Sequence, residues 1–373
     1  MQLPEVYDLH ERRVRPLSAI ISLCGPGTQC GNIALRAPGR AGFAENCANI
    51  CFAEARTRSA RAYWMAVFSE LRYSTTRLTK IFSGLLALLL FGFVTVASVA
   101  GFLVYQIVHP TRNAATIDLN IMMGHPSTFS FPVAGGALRE GWLFPGLRGA
   151  PTIVVAHGYT SQRAEVLTLV TALQDHQFNV FLFDFLGHGT TQGPTTLGYR
   201  ETAELHAAVQ ALSMRDDVDP QHFGLWGVDM GGYAALEVAA TDPRIAAFAV
   251  DDAYDDPRTM VRLEVQKSGL TALPFVLKLS DFGFRMMNYP FRNEPPVSTR
   301  LARTRGVPKL FVQSDDRPAL SNETLQLFVK APDPKQALRD RQSYRDMSDD
   351  DRKNYENQIV NFFLLNMPPT AVR

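Results

Sequence analysis

Gly227-Val228-Asp229-Met230-Gly231-Gly232 places an aspartate at the apex of a stretch that reads as strand, tight turn and helix. Glycines two positions before and two after it leave room for a strained backbone, and such a turn presents its central side chain beyond the end of a sheet. A carboxylate held there has two uses: it attacks carbon as a nucleophile, or it exchanges a proton if its surroundings raise its pKa. Hydrolysing the ester that a carboxylate nucleophile forms requires a base to activate water, ordinarily a histidine. The eight histidines are His10, His109, His125, His157, His176, His188, His206 and His222, and none follows Asp229.

Other polar groups gather at comparable places. His157-Gly158-Tyr159 follows an apolar run, Asp184-Phe185-Leu186-Gly187-His188-Gly189 follows a second, and Asp315-Asp316-Arg317 follows a third. Asp251, Asp252, Asp255 and Asp256 crowd another such junction, where a carboxyl sharing a site with Asp229 would titrate high. No spacing among these acids demands a cation. All four cysteines, Cys24, Cys30, Cys47 and Cys51, lie outside this region at spacings foreign to common zinc sites, so neither metal nor cofactor is expected.

The elements that must position these groups are short and apolar. Phe129–Val133 and Leu138–Phe144 suggest an antiparallel pair around Gly135-Gly136, followed by strands at Thr152–Ala156, Asn179–Phe183, Phe223–Gly227, Ile245–Val250 and Lys309–Val312. Amphipathic segments at Arg163–His176, Arg200–Ser213 and Gly232–Ala240 fall between them. The alternation predicts an α/β fold: a mostly parallel, doubly wound sheet with helices on both faces and its ligands beyond the carboxyl ends of the strands. Residues 257–307 are too long and too rich in Phe and Pro for a simple connection, and are expected to form a small helical cap or lid.

The remaining organisation is read from composition. Residues 1–64 lack periodicity and are expected to be disordered or an overextended start, with a short basic cytoplasmic segment at 65–80. Residues 81–108 carry no Lys, Arg, Asp or Glu and are long enough to cross a bilayer, followed by a linker at 109–128, the main domain at 129–366 and a tail at 367–373. Arg72, Arg77 and Lys80 precede the span and Arg112 follows it. The positive-inside bias then predicts a single pass through the cytoplasmic (inner) membrane with the domain extracytoplasmic. Lys+Arg of 37 against Asp+Glu of 36 leaves a net charge of +1 without a basic cluster, which argues against nucleic acid as a partner.

HGYTS from His157, DFLGHGTTQG from Asp184 and the glycine-framed elbow at Asp229, in this order, resemble the α/β-hydrolase superfamily, and within it a membrane-anchored bacterial branch of serine aminopeptidase-like and acyl-hydrolase proteins. The resemblance implies an α/β-hydrolase fold with one preceding transmembrane helix, a nucleophile position at Asp229, and an oxyanion region formed by His157, Gly158, Tyr159 and Met230. Gly227, Gly231 and Gly232 keep the elbow's steric pattern while its serine has become aspartate. The family acid falls at Arg317 or, with a turn one residue shorter, at Asp316, and the late histidine falls within Ser343-Tyr344-Arg345-Asp346-Met347, where none is present. Met230 also stands where aspartate-type relatives place Trp. The expectation is a hydrolase-derived protein with a degenerate triad, weakly active or inactive, with a pocket for a small acyl or peptide ligand. The alternatives are an active hydrolase of esters, amides or alkyl substrates using Asp229, and an envelope interaction or scaffold protein.

Overall fold

The most apolar runs of the chain become the centre of one eight-stranded sheet. In the computed structural model, which describes residues 6–7, 14–15, 77–112, 117, 124–270 and 274–369, the strands are β3 (Ser127–Pro132), β4 (Leu138–Phe144), β5 (Thr152–Ala156), β6 (Asn179–Phe183), β7 (Phe223–Val228), β8 (Ile245–Asp251), β9 (Lys309–Ser314) and β10 (Lys335–Asp340). Their order is β10-β9-β8-β7-β5-β6-β4-β3. From β10 to β6 all pairs are parallel, and β4 and β3 complete the sheet antiparallel. β5, β6, β7 and β9 are buried at every residue, as central parallel strands must be when helices cover both faces.

The side chains alternate between two cores. Val154, Phe181, Phe183, Leu225 and Phe248 face one layer, which contains α3 (Tyr199–Leu212) and α4 (Met230–Ala239). Ile153, Val155 and Trp226 face the other, built on α2 (Leu167–Asp175) and α8 (Asp349–Asn366). Between β8 and β9 lie α5 (Pro257–Lys267), α6 (Pro274–Met287) and short 3-10 turns, followed after β9 by α7 (Pro318–Lys330).

The sequence reading differs from the structure at particular places. The helix expected over 163–176 begins as a 3-10 turn at Arg163–Val166 before α2 takes over. β10, read from Lys-Gln-Ala-Leu-Arg-Asp, was not anticipated, because it is an edge strand whose partly exposed positions carry polar side chains that give no apolar signal.

The chain divides into two compact units, Met1–Leu90 and Phe91–Arg373. The first holds a two-residue antiparallel ribbon, β1 (Val6–Tyr7) with β2 (Val14–Arg15), and the opening turns of α1 (Arg77–Val108). The remainder of residues 1–64, with all four cysteines, lies outside the described residues, as do 65–76, most of 113–123 and 370–373. α1 is long and apolar enough to cross a membrane. Within the second unit its final turns serve the domain: Ala100, Val104, Ile107 and Val108, at three-to-four spacing, are buried in the first core. The carbonyls that end a helix lack intrahelical partners. Here Ile107 accepts a hydrogen bond from the Tyr159 hydroxyl at 2.8 Å, and Val108 accepts one from the Thr195 amide at 2.8 Å.

Candidate active site at the Asp229 elbow

β7 hands over to α4 through a single residue, Asp229, at φ 38° and ψ −98°, an unfavourable conformation for a side chain with a Cβ. Its neighbours make the turn possible. A Cβ at Gly227 would collide with the carbonyl of Gly231, and one at Gly231 with the carbonyl of Ala156. Gly232 would bring a Cβ to 3.1 Å from that of Ala253, so α4 packs tightly on the sheet. The strain is stored at the carboxyl end of the strand, beside the place where the strand order reverses around β5.

The Asp229 carboxylate is buried and fully engaged. Oδ1 accepts from the Tyr159 amide at 2.6 Å and from the Met230 amide, while Oδ2 accepts from Arg317 Nη1 at 3.1 Å. Two backbone N–H groups converging on one oxygen make the arrangement that stabilises an oxyanion, and here the oxygen belongs to Asp229 itself. Gly158 permits it, since a Cβ there would lie 3.0 Å from both carboxylate oxygens.

Burial works against the Arg317 charge, yet the carboxylates of Asp229, Asp252 and Asp251 outweigh it and raise its pKa further. Asp251 and Asp252 lie behind the elbow, and burial pushes both carboxyls upward, as expected for acids sharing a region with Asp229. Tyr355 donates to Asp251, and the Ser314 hydroxyl and amide donate to Asp252. The other acids of the rim are occupied elsewhere. Asp255 binds Ser298, Asp256 caps α5 and pairs with Arg258, and Asp315 pairs with Arg339. Among the described residues no group of three His, Cys, Asp or Glu side chains is placed to hold a metal ion.

The two acid positions considered from sequence, Asp316 and Arg317, take different partners. Asp316 accepts from the Ser343 amide at 2.9 Å and from the Ser343 hydroxyl at 3.1 Å, so the acid after β9 reaches the loop after β10. Arg317 turns instead to Asp229. Arg345, in the stretch where a histidine was sought, donates to the Thr160 hydroxyl at 2.9 Å, and Ser343 is the residue that Asp316 holds.

His157 does not line the pocket with Gly158 and Tyr159. It is fully buried, with Nδ1 donating to the Gly158 carbonyl and Nε2 accepting from the Phe185 amide, and burial lowers its pKa. With both nitrogens used, it holds the loop and has no lone pair left for proton abstraction. His188 is neutral as well: its Nδ1 donates to Leu186, its Nε2 is buried without a partner, and burial together with His157 lowers its pKa to about 4. His206 and His222 pair with Asp242 and Asp219. Asp184 accepts from the Arg163 and Thr190 amides and shapes the loop after β6.

A cleft of about 690 Å³ opens over the elbow. Its lining includes Asp229, Tyr159 and Arg317, Met260 and Leu263 of α5, and Arg345. The counter-ion role of Arg317 was missed from sequence. Its one signal was that a buried carboxylate at an elbow needs a cation, and Arg317 ends one of the loops assigned to that rim.

A family model described as alpha/beta hydrolase fold matches residues 151–361. The chain belongs to this family. It is 26% identical over 250 residues to an uncharacterized protein, YfhR, of Escherichia coli O157:H7, covering 64% of this chain and 81% of YfhR. It is 30% identical over 125 residues to the polyketide transferase grgF of Penicillium sp., covering 32% of this chain and 42% of that protein. Among solved structures, the Pyrococcus furiosus esterase Pf2001 superposes with a TM-score of 0.57 at 19% identity, covering 70% of this chain and 98% of the esterase, a likeness of fold. The α/β-hydrolase fold is therefore settled by family and by architecture together.

Proposed function

We propose that this chain is a membrane-anchored α/β-hydrolase-fold protein whose hydrolytic centre is silenced and whose cleft is kept for binding a small acyl-type ligand. The observation that carries this reading is the engagement of Asp229: both converging amides and Arg317 are spent on its carboxylate. Acyl transfer needs those amides free for the oxyanion that develops on the substrate, and Oδ1 occupies them; Oδ2, the oxygen left to attack an alkyl carbon, is paired with Arg317. No imidazole stands within hydrogen-bond reach of Asp229 among the described residues, so an ester formed on it would lack a base for its hydrolysis.

The ligand class is supported by the lining of the cleft, where Met260 and Leu263 add apolar surface beside charged groups, among them Lys267 paired with Glu264 and Arg345 paired with Glu165, an amphipathic lining suited to an acyl chain with a polar end. A polyketide transferase among the relatives is consistent with that class. The membrane anchor is supported by α1, whose residues from Ile81 to Val94 expose large apolar side chains.

The test is to rebuild the lost groups. In Asp229→Ser with Ser343→His, the histidine stands on the residue that Asp316 holds and the amides are freed. The double variant is expected to gain turnover of short acyl esters and labelling by a fluorophosphonate probe, neither of which the parent gives. Fluorophosphonate labelling of the parent at the elbow would count against silencing.

A further inference from the structure

We propose that the outward face of α6 seats in the headgroup and upper acyl region of an anionic bilayer, the same bilayer that α1 crosses. The inference rests on the membrane-anchor reading of α1. α6 has two unlike faces. Val276, Ser280 and Phe284, four residues apart, are buried in the first core. On the other side Phe275, Phe282 and Met286 are exposed by more than half, and at the end of the helix Met287 and then Tyr289 are 50% and 53% exposed. Lys278 and Arg285 are exposed among them. A large apolar surface interleaved with long cationic side chains suits a membrane interface, where the rings enter the acyl boundary and the amines reach lipid phosphates.

The length of α1 determines where this face lies. At 32 residues α1 is about 48 Å long, whereas a hydrocarbon core of about 30 Å takes about 20 residues. In the last turns one side, Ala100, Val104, Ile107 and Val108, is buried against the domain while Phe102 and Tyr105 stay exposed, so the stretch that is apolar and exposed all round ends near Ala100. α6 meets α1 just beyond that point: a Cβ at Gly283 would lie 3.7 Å from Val104 Cγ2. The exposed aromatic face thus emerges beside the helix where the helix leaves the bilayer. The adjacent helix α5 contributes Met260 and Leu263 to the cleft above Asp229, so the membrane-seated segment adjoins the ligand site.

The experiment uses the full chain reconstituted into phosphatidylglycerol–phosphatidylcholine vesicles whose acyl chains carry bromine near the headgroup. Phe282→Trp is the reporter and Val329→Trp, equally exposed on α7, is the reference, each read as the difference from the parent. Emission from Phe282→Trp is expected to shift to the blue and to be quenched about twofold, with Val329→Trp unchanged and with less quenching when Lys278 and Arg285 are both replaced by Glu. Equal emission from both reporters, quenched or not, overturns the proposal. Alkaline carbonate extraction of the same vesicles separates the two readings. A retained chain with an unquenched reporter overturns the α6 contact alone, whereas a released chain with a quenched reporter overturns the α1 anchor alone. A reporter unquenched in vesicles but shielded from acrylamide in native membranes assigns the face to a protein partner and overturns the lipid contact.

Discussion

Asp229 is held in a rare conformation, and both of its carboxylate oxygens are engaged by hydrogen bonds. Its charge is balanced by Arg317, whose side chain is 24% exposed, so the pair is partly screened. Arg317→Ala is expected to destabilise the domain by about 2–3 kcal/mol, below the 3–5 kcal/mol of a fully buried pair, because it strands a buried carboxylate. Adding Asp229→Ser should recover most of that loss, and a double-mutant cycle by denaturant unfolding measures the coupling. His188 gives a prediction in pH. Its folded pKa of about 4 lies below the unfolded value of 6.5, so the unfolded chain takes the proton first. Its contribution is intact above the unfolded value and is lost as pH falls through 6.5 towards 4. Asp251 and Asp252, raised by burial, oppose this trend, so the useful quantity is a difference between variants. Between about pH 7.5 and 4.5 the parent should lose roughly 2–3 kcal/mol relative to His188→Gln.

Among the elements, the elbow and the end of α1 are the least replaceable. Gly231→Ala is expected to cost at least about 3 kcal/mol or to abolish folding, because the backbone of Ala156 on β5 leaves no room for a methyl group. Beginning the chain at residue 110 removes the buried Val104, Ile107 and Val108, and should cost up to roughly 5 kcal/mol by burial of apolar area, whereas a chain beginning near residue 94 keeps them. Thermal or denaturant unfolding in detergent separates the two. The central strands could be read from sequence because parallel strands covered on both faces are continuous apolar runs, and the elbow because its glycines answer a steric demand that composition cannot disguise. β10 could not, since an edge strand needs no apolar pattern. The end of α1 reads as bilayer-spanning throughout, for an apolar face buried in protein looks the same as one facing lipid. Ser343 and Arg317 were obscured because a polar partner becomes recognisable when the fold brings distant loops together.

At the scale of the molecule, the chain has the α/β-hydrolase fold, with a cleft above a strained elbow, while no histidine is hydrogen-bonded to Asp229 among the described residues. His157 and His188 are buried as neutral structural groups, Asp316 holds Ser343, and the converging amides hold Asp229. On the proposed reading, such a centre binds without turning over. The most direct measurement is hydrolysis of a panel of acyl esters, thioesters and amides by the purified full chain, with Asp229→Asn alongside. The expected result is no turnover above the uncatalysed rate in either protein, with ligand binding retained in both. Turnover by the parent that Asp229→Asn abolishes would contradict the account.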